Sequence, residues 1–416
     1  MDDHAHAGGD HAHAGGDHAH AGGPAPRAAL GLPTPQISHR GAGHLRVDVS
    51  RGHLAGEERD DWNKLVDSSG PVDVTQLTGW ATIRASVGYE PAYVRIWSGN
   101  ELVAGAQILC RKLPVFGILA YVPHGPVISE GVERASTLAA IAAALQEFGA
   151  RTARMLVVQP PMGGTDVYAD LLRNGFRRSS VEIAPATSVR VDLTPSEDEI
   201  RSRLSRRLRT WTRQWAARGV RIREGTDADL PIFADLVAKS AAHQGFTPFN
   251  LDYLRILYGE LAVSGHAVLL IGEVAGVPVA GELYTGCGSV LTARLCGLDR
   301  NPETAHLNVA SAVTWEAVRW ARKHDYSWLD LGGVRPETAR SIRDHEANSD
   351  VPLPSTDVWK LKFGGQLTEL PPVVEVNRLP MAGNVFRSLR RSRLGRRLIG
   401  LTAVALRGQR RSRGSV

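Results

Sequence analysis

The sequence predicts an α+β protein built from two similar modules in tandem. The first observation is an internal match, in which "YVRIWSGNELVAGAQIL" (93–109) aligns with "LLIGEVAGVPVAGELY" (269–284) through a shared Val-Ala-Gly. Each segment has the pattern of a strand, a short polar turn and a second strand. The second observation is that further strands, a helix and another strand follow each match, at 136–161 and 310–333. Repetition of one pattern favours two modules over a single large sheet.

Length and composition place the chain among ordinary globular proteins. It has 416 residues, of which 43% are hydrophobic and 22% are charged, enough for two or three domains. Its three cysteines, Cys110, Cys287 and Cys296, are far apart and form no CxxC pair. They indicate a reducing compartment and no structural zinc. With no membrane-length apolar run and no signal-peptide pattern, the chain is expected to be cytoplasmic.

Both ends of the chain have unusual compositions. Three copies of DHAHAGG begin at Asp3, Asp10 and Asp17, and a tract of this kind cannot bury enough apolar surface to fold. We therefore expect 1–44 to be a disordered extension and linker, whose role the sequence leaves open. Residues 381–416 carry ten arginines and no acid, so the rest of the chain has a net charge of −4 against +6 overall. This tail suits anionic lipid or RNA phosphates, or is a disordered solubilising end.

Between the modules, the segment 196–225 has the pattern of a basic amphipathic helix. Ser196 or a neighbour can cap it, and Gly219 ends it before a strand. An apolar stripe predicts packing and consists of Leu204, Leu208, Trp211 and Trp215. Three arginines fall on another face, Arg206, Arg209 and Arg213. This face either binds a polyanion or is simply solvated.

Near the end of the second module, "DVWKLKFGG" (357–365) alternates like a strand and leads Lys360 towards a glycine pair. An edge-strand lysine is usually solvated, whereas two adjacent glycines allow another backbone or a substrate to come close.

Several classes of enzyme are disfavoured because their motifs are absent from the sequence. It has no P-loop, no dinucleotide glycine motif, no GxSxG nucleophile elbow, and no HExxH or clustered Cys/His zinc pattern. The scattered histidines, His124 and His266 among them, fit surface or capping positions. The glycine-rich loop that binds the pyrophosphate of acetyl-CoA is also missing. We therefore expect no metal, no cofactor and an acyl donor other than coenzyme A.

Five strings, in this order, resemble the FemABX (FemX-like) aminoacyltransferases: "VTQLTGWATIRASVGYEPAYVRIW" (74–97), 103–128, the basic segment 203–221, "YSWLDLGG" (326–333) and "VWKLKFGGQL" (358–367). The resemblance covers about Val47 to Leu379. Family members fold as two tandem acyl-CoA N-acyltransferase (GNAT)-like domains, and the chain returns to the first domain at its end. The resemblance implies domains at 45–195 and 196–366, with 367–380 returning to the first and without a long coiled-coil insertion.

The resemblance also implies roles for particular residues. The family places an aromatic–lysine pair before a Phe-Gly ending, which makes Lys360 the catalytic cation that stabilises charge on the attacked ester carbonyl. A basic residue after the "WA" motif contacts a diphosphate in relatives, and Arg84 matches it. The other expected substrate-binding residues are Trp80, Tyr253, Trp359, Phe363, Gly364 and Gly365.

The sequence departs from the family pattern at the acceptor site. Where some relatives have an arginine, this chain has Phe249. Where relatives have an acidic residue at a strand end, it has Gln159 or Pro160. No general base is evident, since Asp330 fits a structural position at a strand end. These departures leave the identity of the acceptor open.

The resemblance implies a cytoplasmic aminoacyltransferase, expected to be a monomer, that uses aminoacyl-tRNA as donor. It would join a small amino acid, glycine by preference, to the amine of lipid II or UDP-MurNAc-pentapeptide, with the arginine face holding tRNA and the tail contacting the inner face of the membrane. The alternative acceptor is an amine-bearing specialised metabolite or antibiotic. Two further hypotheses are a non-catalytic RNA-binding protein and a coenzyme A-dependent acetyltransferase.

Overall fold

The computed structural model describes residues 37–40 (backbone only), 45–70, 72–113, 117–179, 183–343 and 354–377. The predictions for the DHAHAGG repeats and for the tail 381–416 concern residues outside this set. Ile37–Arg40 forms a strand, β1, paired with the next strand of the chain. The predicted disordered extension is therefore wrong at these positions, because this pairing satisfies the backbone N–H and C=O groups.

The first part of the chain alternates strands and helices. Its elements are β1 Ile37–Arg40, β2 Leu45–Arg51, α1 Gly56–Ser68, α2 Thr78–Ala85, β3 Glu90–Ser98, β4 Glu101–Leu113, β5 Gly117–Val122, β6 Val127–Ile128, α3 Arg134–Thr152, β7 Met155–Val158, α4 Thr165–Arg173 and β8 Arg177–Arg178. A 3₁₀ turn at Val74–Gln76 precedes α2.

The second part repeats this alternation. Its elements are β9 Thr187–Asp192, α5 Glu197–Arg203, α6 Arg206–Trp211, β10 Val220–Glu224, α7 Leu230–Gln244, α8 Leu251–Ala262, β11 Ala267–Val274, β12 Val277–Cys287, β13 Val290–Leu298, α9 Pro302–Ala305, α10 Val309–Lys323, β14 Trp328–Gly333, α11 Pro336–Arg343, α12 Ser355–Leu361, β15 Gln366–Glu369 and β16 Val374–Asn377.

These strands form two sheets with matching topology. The first runs β1-β2-β3-β4-β5-β7-β16-β8, with β6 beside β4, and the second runs β10-β11-β12-β13-β14-β9-β15. In each sheet an antiparallel run ends in one parallel pair, β5–β7 or β13–β14, which a helix connects. The predicted α+β fold of two tandem modules is confirmed.

The two sheets exchange strands across the predicted domain boundaries. β9 lies in the second sheet, although its residues fall within the range 45–195 assigned to the first domain. β15 also joins the second sheet, beside β9. β16 returns to the first sheet, where it pairs antiparallel with β7 and β8. The last described strand of the chain thus completes the first domain.

The Val-Ala-Gly match has a packing explanation. A Cβ on Gly105 would lie 2.7 Å from the ring of Trp62 in α1, and one on Gly281 would lie 2.9 Å from the ring of Phe233 in α7. Both distances are shorter than a carbon–carbon contact allows. Glycine is therefore needed at the equivalent position of each module, because an aromatic side chain of the preceding helix packs directly on the strand.

A shared apolar core joins the modules. Helices α1 and α2 of the first domain and α7 and α8 of the second contribute side chains to one cluster, with strands from both sheets. Trp62, Phe233 and Leu254 are fully buried there. Each sheet also packs against its own helix, α3 or α10, in a separate core. Burial of this common face fixes how the two domains meet.

A buried set of hydrogen bonds, the glutamine network, holds the loop that precedes α2. Gln107 of β4 donates from Nε2 to the carbonyls of Thr75 (2.9 Å) and Leu77 (3.1 Å), and its Oε1 accepts from the Tyr93 hydroxyl at 2.8 Å. Gln76 accepts from the Gln107 N–H at 2.8 Å and donates to Pro123 O at 2.6 Å. Both glutamines are fully buried.

The basic segment is not one helix. Ser196 caps α5 in a capping box with Glu199, as predicted, but α5 ends at Arg203 and α6 begins at Arg206. The break occurs because the Ser205 N–H donates to Lys362 O at 2.8 Å rather than within the helix. The predicted stripe does pack, since Leu204, Leu208 and Trp215 are buried and Trp211 is partly buried. Gly219 adopts φ 75° at the end of the segment, as its role as a stop requires.

The strand predicted around Lys360 is also wrong, because Ser355–Leu361 forms α12. Trp359 and Phe363 lie four residues apart and their rings pack edge to face at 5.2 Å. Asp357 accepts from Arg335 N (3.0 Å) and Thr338 Oγ1 (2.7 Å), which anchors the first turn of α12 to α11. These contacts require helical spacing.

We predict that Gln107→Met destabilises the protein by about 2–5 kcal/mol, because it leaves the Tyr93 hydroxyl and the buried Thr75 carbonyl without their partner. Urea unfolding measures this loss. Gln146→Met, at an exposed position of α3, should stay within about 0.5 kcal/mol of the unchanged protein. Equal stability of the two variants would contradict the role assigned to the network.

Candidate active site

A cavity of about 220 Å³ lies where loops of the first domain meet strands of the second sheet. The first domain contributes Asp73 and His124 to its lining, and the second contributes Arg190 of β9, Arg294 of β13 and Asp330 of β14. Parallel pairing of β13 with β14 and antiparallel pairing of β14 with β9 place Arg294, Asp330 and Arg190 on three neighbouring strands of the sheet. The cavity therefore depends on both domains.

Asp73 and Arg294 form an ion pair across the domain interface. Arg294 Nη2 donates to both carboxylate oxygens, at 2.7 and 2.6 Å, and its Nε donates to Thr285 Oγ1 at 2.6 Å. Burial alone would raise the pKa of Asp73, but Arg294, His124 and the Thr75 N–H outweigh burial and hold that pKa well below its usual range. The Asp73 carboxylate is therefore ionised at neutral pH.

Asp330 is the acceptor of a second charged cluster. It accepts from Arg190 Nε at 3.0 Å, from Gly332 N at 2.7 Å and from the Ser188 hydroxyl. These bonds occupy both carboxylate oxygens and hold the irregular end of β14, where its pairing with β9 shifts register.

His124 lines the same cavity and has a left-handed backbone, with φ 46°. Burial lowers the pKa of His124, and Asp73 opposes that shift only in part. The imidazole is therefore neutral at pH 7 and has a lone pair to accept a proton. Although the sequence interpretation assigned His124 a surface or capping position, it is the lining residue best suited to proton transfer.

Lys360 lies directly behind one wall of the cavity. Its Nζ donates to Gly333 O at 2.7 Å, and a Cβ on Gly332 would lie 3.4 Å from Nζ. Both glycines line the cavity. Burial lowers the pKa of Lys360, while Asp357, Asp330 and Glu282 favour the charged form. The ammonium group is thus a poorly hydrated cation separated from the cavity by the glycine turn.

Glu282 lies in the core on the other side of Lys360. It is fully buried and accepts from Thr314 Oγ1 at 3.1 Å and from the Tyr284 hydroxyl. Burial raises the pKa of Glu282 to about 7, although both hydrogen bonds and Lys360 favour its ionised form. Its charge state near neutral pH influences the field at Lys360.

The glycine pair after Lys360 serves the protein's own packing. Gly364 has φ 69°, and a Cβ there would lie 2.5 Å from Arg203 O, while one on Gly365 would lie 2.9 Å from Arg190 O. The backbones that approach these Cβ positions belong to the protein itself. The predicted approach of substrate to the two glycines stays a prediction. Phe363 is likewise buried in the core, and Trp359 Nε1 donates to Ser311 Oγ at 2.8 Å.

The other predicted binding residues are not brought together at the cavity. Arg84 is 5% exposed and its guanidinium lies 4.6 Å from the centre of the Tyr89 ring. Tyr253 is buried and stacks on Phe249 at 4.4 Å. Trp80 is partly buried and lies beneath the guanidinium of Arg294, at 5.6 Å. Trp80 therefore contacts a residue of the cavity lining, Arg294.

The three arginines of the predicted polyanion site are exposed to solvent. Arg206, Arg209 and Arg213 are all exposed on or just after α6, and Arg209 donates to Ser202 O at 3.1 Å. None of the three lines the cavity.

The sequence interpretation missed Asp73, His124, Arg190 and Arg294. A signal existed for Arg294, which is the one charged residue of the mainly apolar strand β13. The signal for Arg190 was weaker, because β9 also contains Asp192 and two hydroxyl residues. The ion pair of Arg294 with Asp73 joins residues 221 positions apart, which no local pattern encodes.

Comparison with known proteins supports this fold. The family model described as an acetyltransferase (GNAT) domain matches residues 172–339. The crystal structure of FemX aligns with a TM-score of 0.68 at 17% identity, covering 81% of this chain and 99% of that one. The lipid II:glycine glycyltransferase of Staphylococcus haemolyticus is 23% identical over 246 residues, 56% of this chain and 58% of that protein. That of Staphylococcus epidermidis is 23% identical over 219 residues, 50% and 52%.

The chain has the fold of two GNAT-like domains, and the family model matches the part of it at 172–339. In sequence and in architecture it resembles the FemABX aminoacyltransferases, as the motifs predict. The chain spans about half the length of the curated relatives it matches. None of the described helices is both long and apolar enough to cross a bilayer.

We predict that Glu282 makes stability depend on pH. Its ordinary pKa of 4.5 rises to about 7 on folding, so its contribution is present below pH 4.5 and is lost as pH rises through 7. Relative to Glu282→Gln, the unchanged protein should lose on the order of 2–3 kcal/mol of unfolding free energy between pH 4.5 and 8. Urea titrations at several pH values measure this difference, and Glu101→Gln at an exposed position should track the unchanged protein. Parallel curves for Glu282→Gln would contradict the shift.

Proposed function

We propose that the chain is an aminoacyltransferase that moves a small amino acid, glycine by preference, from aminoacyl-tRNA to the amine of a peptidoglycan precursor. The observation that carries this proposal is the desolvated Lys360 ammonium, held 2.7 Å from Gly333 O behind the cavity wall. The likeness to proteins named lipid II:glycine glycyltransferase supports the choice of amino acid and acceptor.

In the proposed reaction the acceptor amine attacks the carbonyl carbon of the aminoacyl ester. Negative charge then develops on the carbonyl oxygen, and the bond to the tRNA 3′ oxygen breaks as the amide forms. Lys360 stabilises that charge, which is most effective where water is excluded. To reach the oxygen, its ammonium exchanges the bond to Gly333 O for one to the substrate.

His124 supplies the general base that the sequence motifs did not provide. The acceptor amine must lose a proton, and a neutral imidazole in the cavity accepts it. The protonated imidazole, close enough to Asp73 to be stabilised by its charge, then returns the proton to the departing 3′ oxygen. The two paired arginines, Arg190 and Arg294, hold the cavity walls.

The tRNA is proposed to lie along the arginine face of α6, where Arg206, Arg209 and Arg213 are exposed. No coenzyme is required, because the ester of aminoacyl-tRNA is already activated. The arginine-rich tail 381–416 would bring the enzyme to anionic lipid at the cytoplasmic face of the membrane, where a lipid-linked acceptor resides.

A second acceptor class is favoured by the burial of Arg84. Arg84 is 5% exposed and its guanidinium lies over the Tyr89 ring, so it does not present a diphosphate site at the surface. An amine-bearing specialised metabolite without a diphosphate would not need one.

We predict that Lys360→Ala lowers the rate of transfer about 10²–10³-fold, because it removes a cation that acts in the transition state. Purified protein is incubated with total tRNA, synthetases, amino acids and lipid II or UDP-MurNAc-pentapeptide, and products are weighed by mass spectrometry. An adduct of one amino-acid residue should appear, disappear with RNase and persist in the exposed control Lys362→Ala.

No adduct, alongside an active FemABX enzyme, would reject the peptidoglycan acceptor. Amine-bearing metabolites would then be tested in the same assay. An adduct formed equally by Lys360→Ala would reject the catalytic role of that residue. An adduct formed from acetyl-CoA and insensitive to RNase would identify a coenzyme A-dependent enzyme instead.

We predict that His124→Gln lowers the rate and removes the acid limb of the pH–rate profile. In the unchanged protein the rate should fall as pH drops through the lowered pKa of His124, since the protonated imidazole cannot accept a proton. His306→Gln, at an exposed position, is the matched control. An unaltered acid limb in His124→Gln would rule out this base.

A further inference from the structure

Three side chains that the proposed reaction does not use come together beside the domain interface. Among the described residues, Asp67, His266 and Cys287 form a group whose ligand atoms all lie within 4.8 Å of one another. His266 Nε2 is 3.4 Å from Asp67 Oδ1, and Cys287 Sγ is 4.0 Å from the same oxygen.

The group is assembled from both domains. Asp67 is in the last turn of α1, His266 immediately precedes β11, and Cys287 ends β12. Pairing of Ala267 with Thr285 places the ends of the two strands side by side. The Gly286 N–H also donates to His266 O at 2.9 Å, which fixes the histidine backbone. The positions of two ligands are therefore set by the sheet, and the third is brought by the helix.

The orientation of His266 leaves one ring nitrogen for a ligand. Its Nδ1 lies 2.9 Å from Gly286 O, and since a carbonyl can only accept, Nδ1 carries the proton. When the ring is neutral, Nε2 carries a lone pair directed at the Asp67 carboxylate. A nitrogen acceptor and an oxygen acceptor then face each other, and a cation between them would bind both. In metal sites, the imidazole nitrogen that does not bind the metal commonly donates to a backbone carbonyl, which orients the ring.

The donor set and spacing suit zinc. Imidazole nitrogen, thiolate sulfur and carboxylate oxygen are its usual protein ligands, at about 2.0–2.3 Å. Tetrahedral geometry at those lengths separates ligand atoms by roughly 3.3–3.7 Å, close to the 3.4 and 4.0 Å observed. The exposed fraction rises from Cys287 (3%) through the side chain of His266 (16%) to that of Asp67 (47%). An ion can therefore reach the group from solvent on the side of Asp67.

We propose that Asp67, His266 and Cys287 bind one zinc-class divalent cation, with a water molecule in the fourth position. Binding displaces the thiol proton of Cys287 to solvent. The ion would tie α1 of the first domain to the β11–β12 pair of the second. This inference stands apart from the proposed transfer reaction, and it revises the expectation of no metal, because ligands so distant in sequence form no spacing motif.

The first test is cobalt(II) titration of the full-length protein under reducing conditions, read by absorption spectroscopy. A thiolate ligand gives a sulfur-to-cobalt charge-transfer band, which the DHAHAGG repeats cannot produce because they contain no sulfur. We expect the band in the unchanged protein and in the control Cys296→Ser, and its loss in Cys287→Ser. No band in the unchanged protein, or a band that persists in Cys287→Ser, would overturn the proposal.

A second test guards against variants that fail to fold. Asp67→Asn alters the most exposed ligand, so the fold should survive, as circular dichroism without metal will show. We expect this variant to bind zinc at least ten-fold more weakly and to lose most of the zinc-induced rise in Tm. Equal affinity in Asp67→Asn and the unchanged protein would mean that the three residues do not act as one site.

Discussion

The glutamine network is the constraint on which the candidate active site depends. Gln107 lies on β4 in the middle of the first sheet, where an amide without partners would be costly to bury. The Gln107 side chain can form its hydrogen bonds only when residues 75–77 lie against β4. Gln76 in turn donates a hydrogen bond to Pro123 O. Asp73 and His124 adjoin these fixed points, and both line the cavity. The hydrogen-bonding requirement of a buried glutamine thus determines where two residues of the cavity lining are placed.

Charge pairing distinguishes the groups that support the cavity from the group that can act in it. Arg294 and Arg190 each bind a carboxylate, so their charges are compensated and their positions are fixed. Lys360 has a backbone carbonyl as its hydrogen-bond partner and carboxylates only at longer range. Of these cations, it therefore loses least by turning to a substrate oxygen. Asp357, Asp330 and, to a smaller extent, the buried Glu282 favour the charged form of Lys360.

The sequence allowed the tandem fold to be predicted because Gly105 and Gly281 are both required by an aromatic ring packed on the strand. The helix at Lys360 was mistaken for a strand, since a Trp–Phe spacing of four residues satisfies strand alternation as well as a helical turn. The break at Ser205 was not predictable, because its cause is the carbonyl of Lys362, which is distant in sequence. The Asp73–Arg294 pair escaped prediction for the same reason: its separation of 221 residues is decided by the meeting of two domains.

The exchange of strands between the sheets has a consequence for synthesis on the ribosome. β16 completes the first sheet beside β7, yet it follows every strand of the second domain in the chain. While the second domain is being made, β7 keeps an open edge with unpaired N–H and C=O groups. The first domain therefore reaches its final form only after the second has emerged from the ribosome. A chain that stops before residue 374 exposes the unpaired edge of β7, which can pair with strands of other chains. Early release of the chain thus favours aggregation over a shorter folded protein.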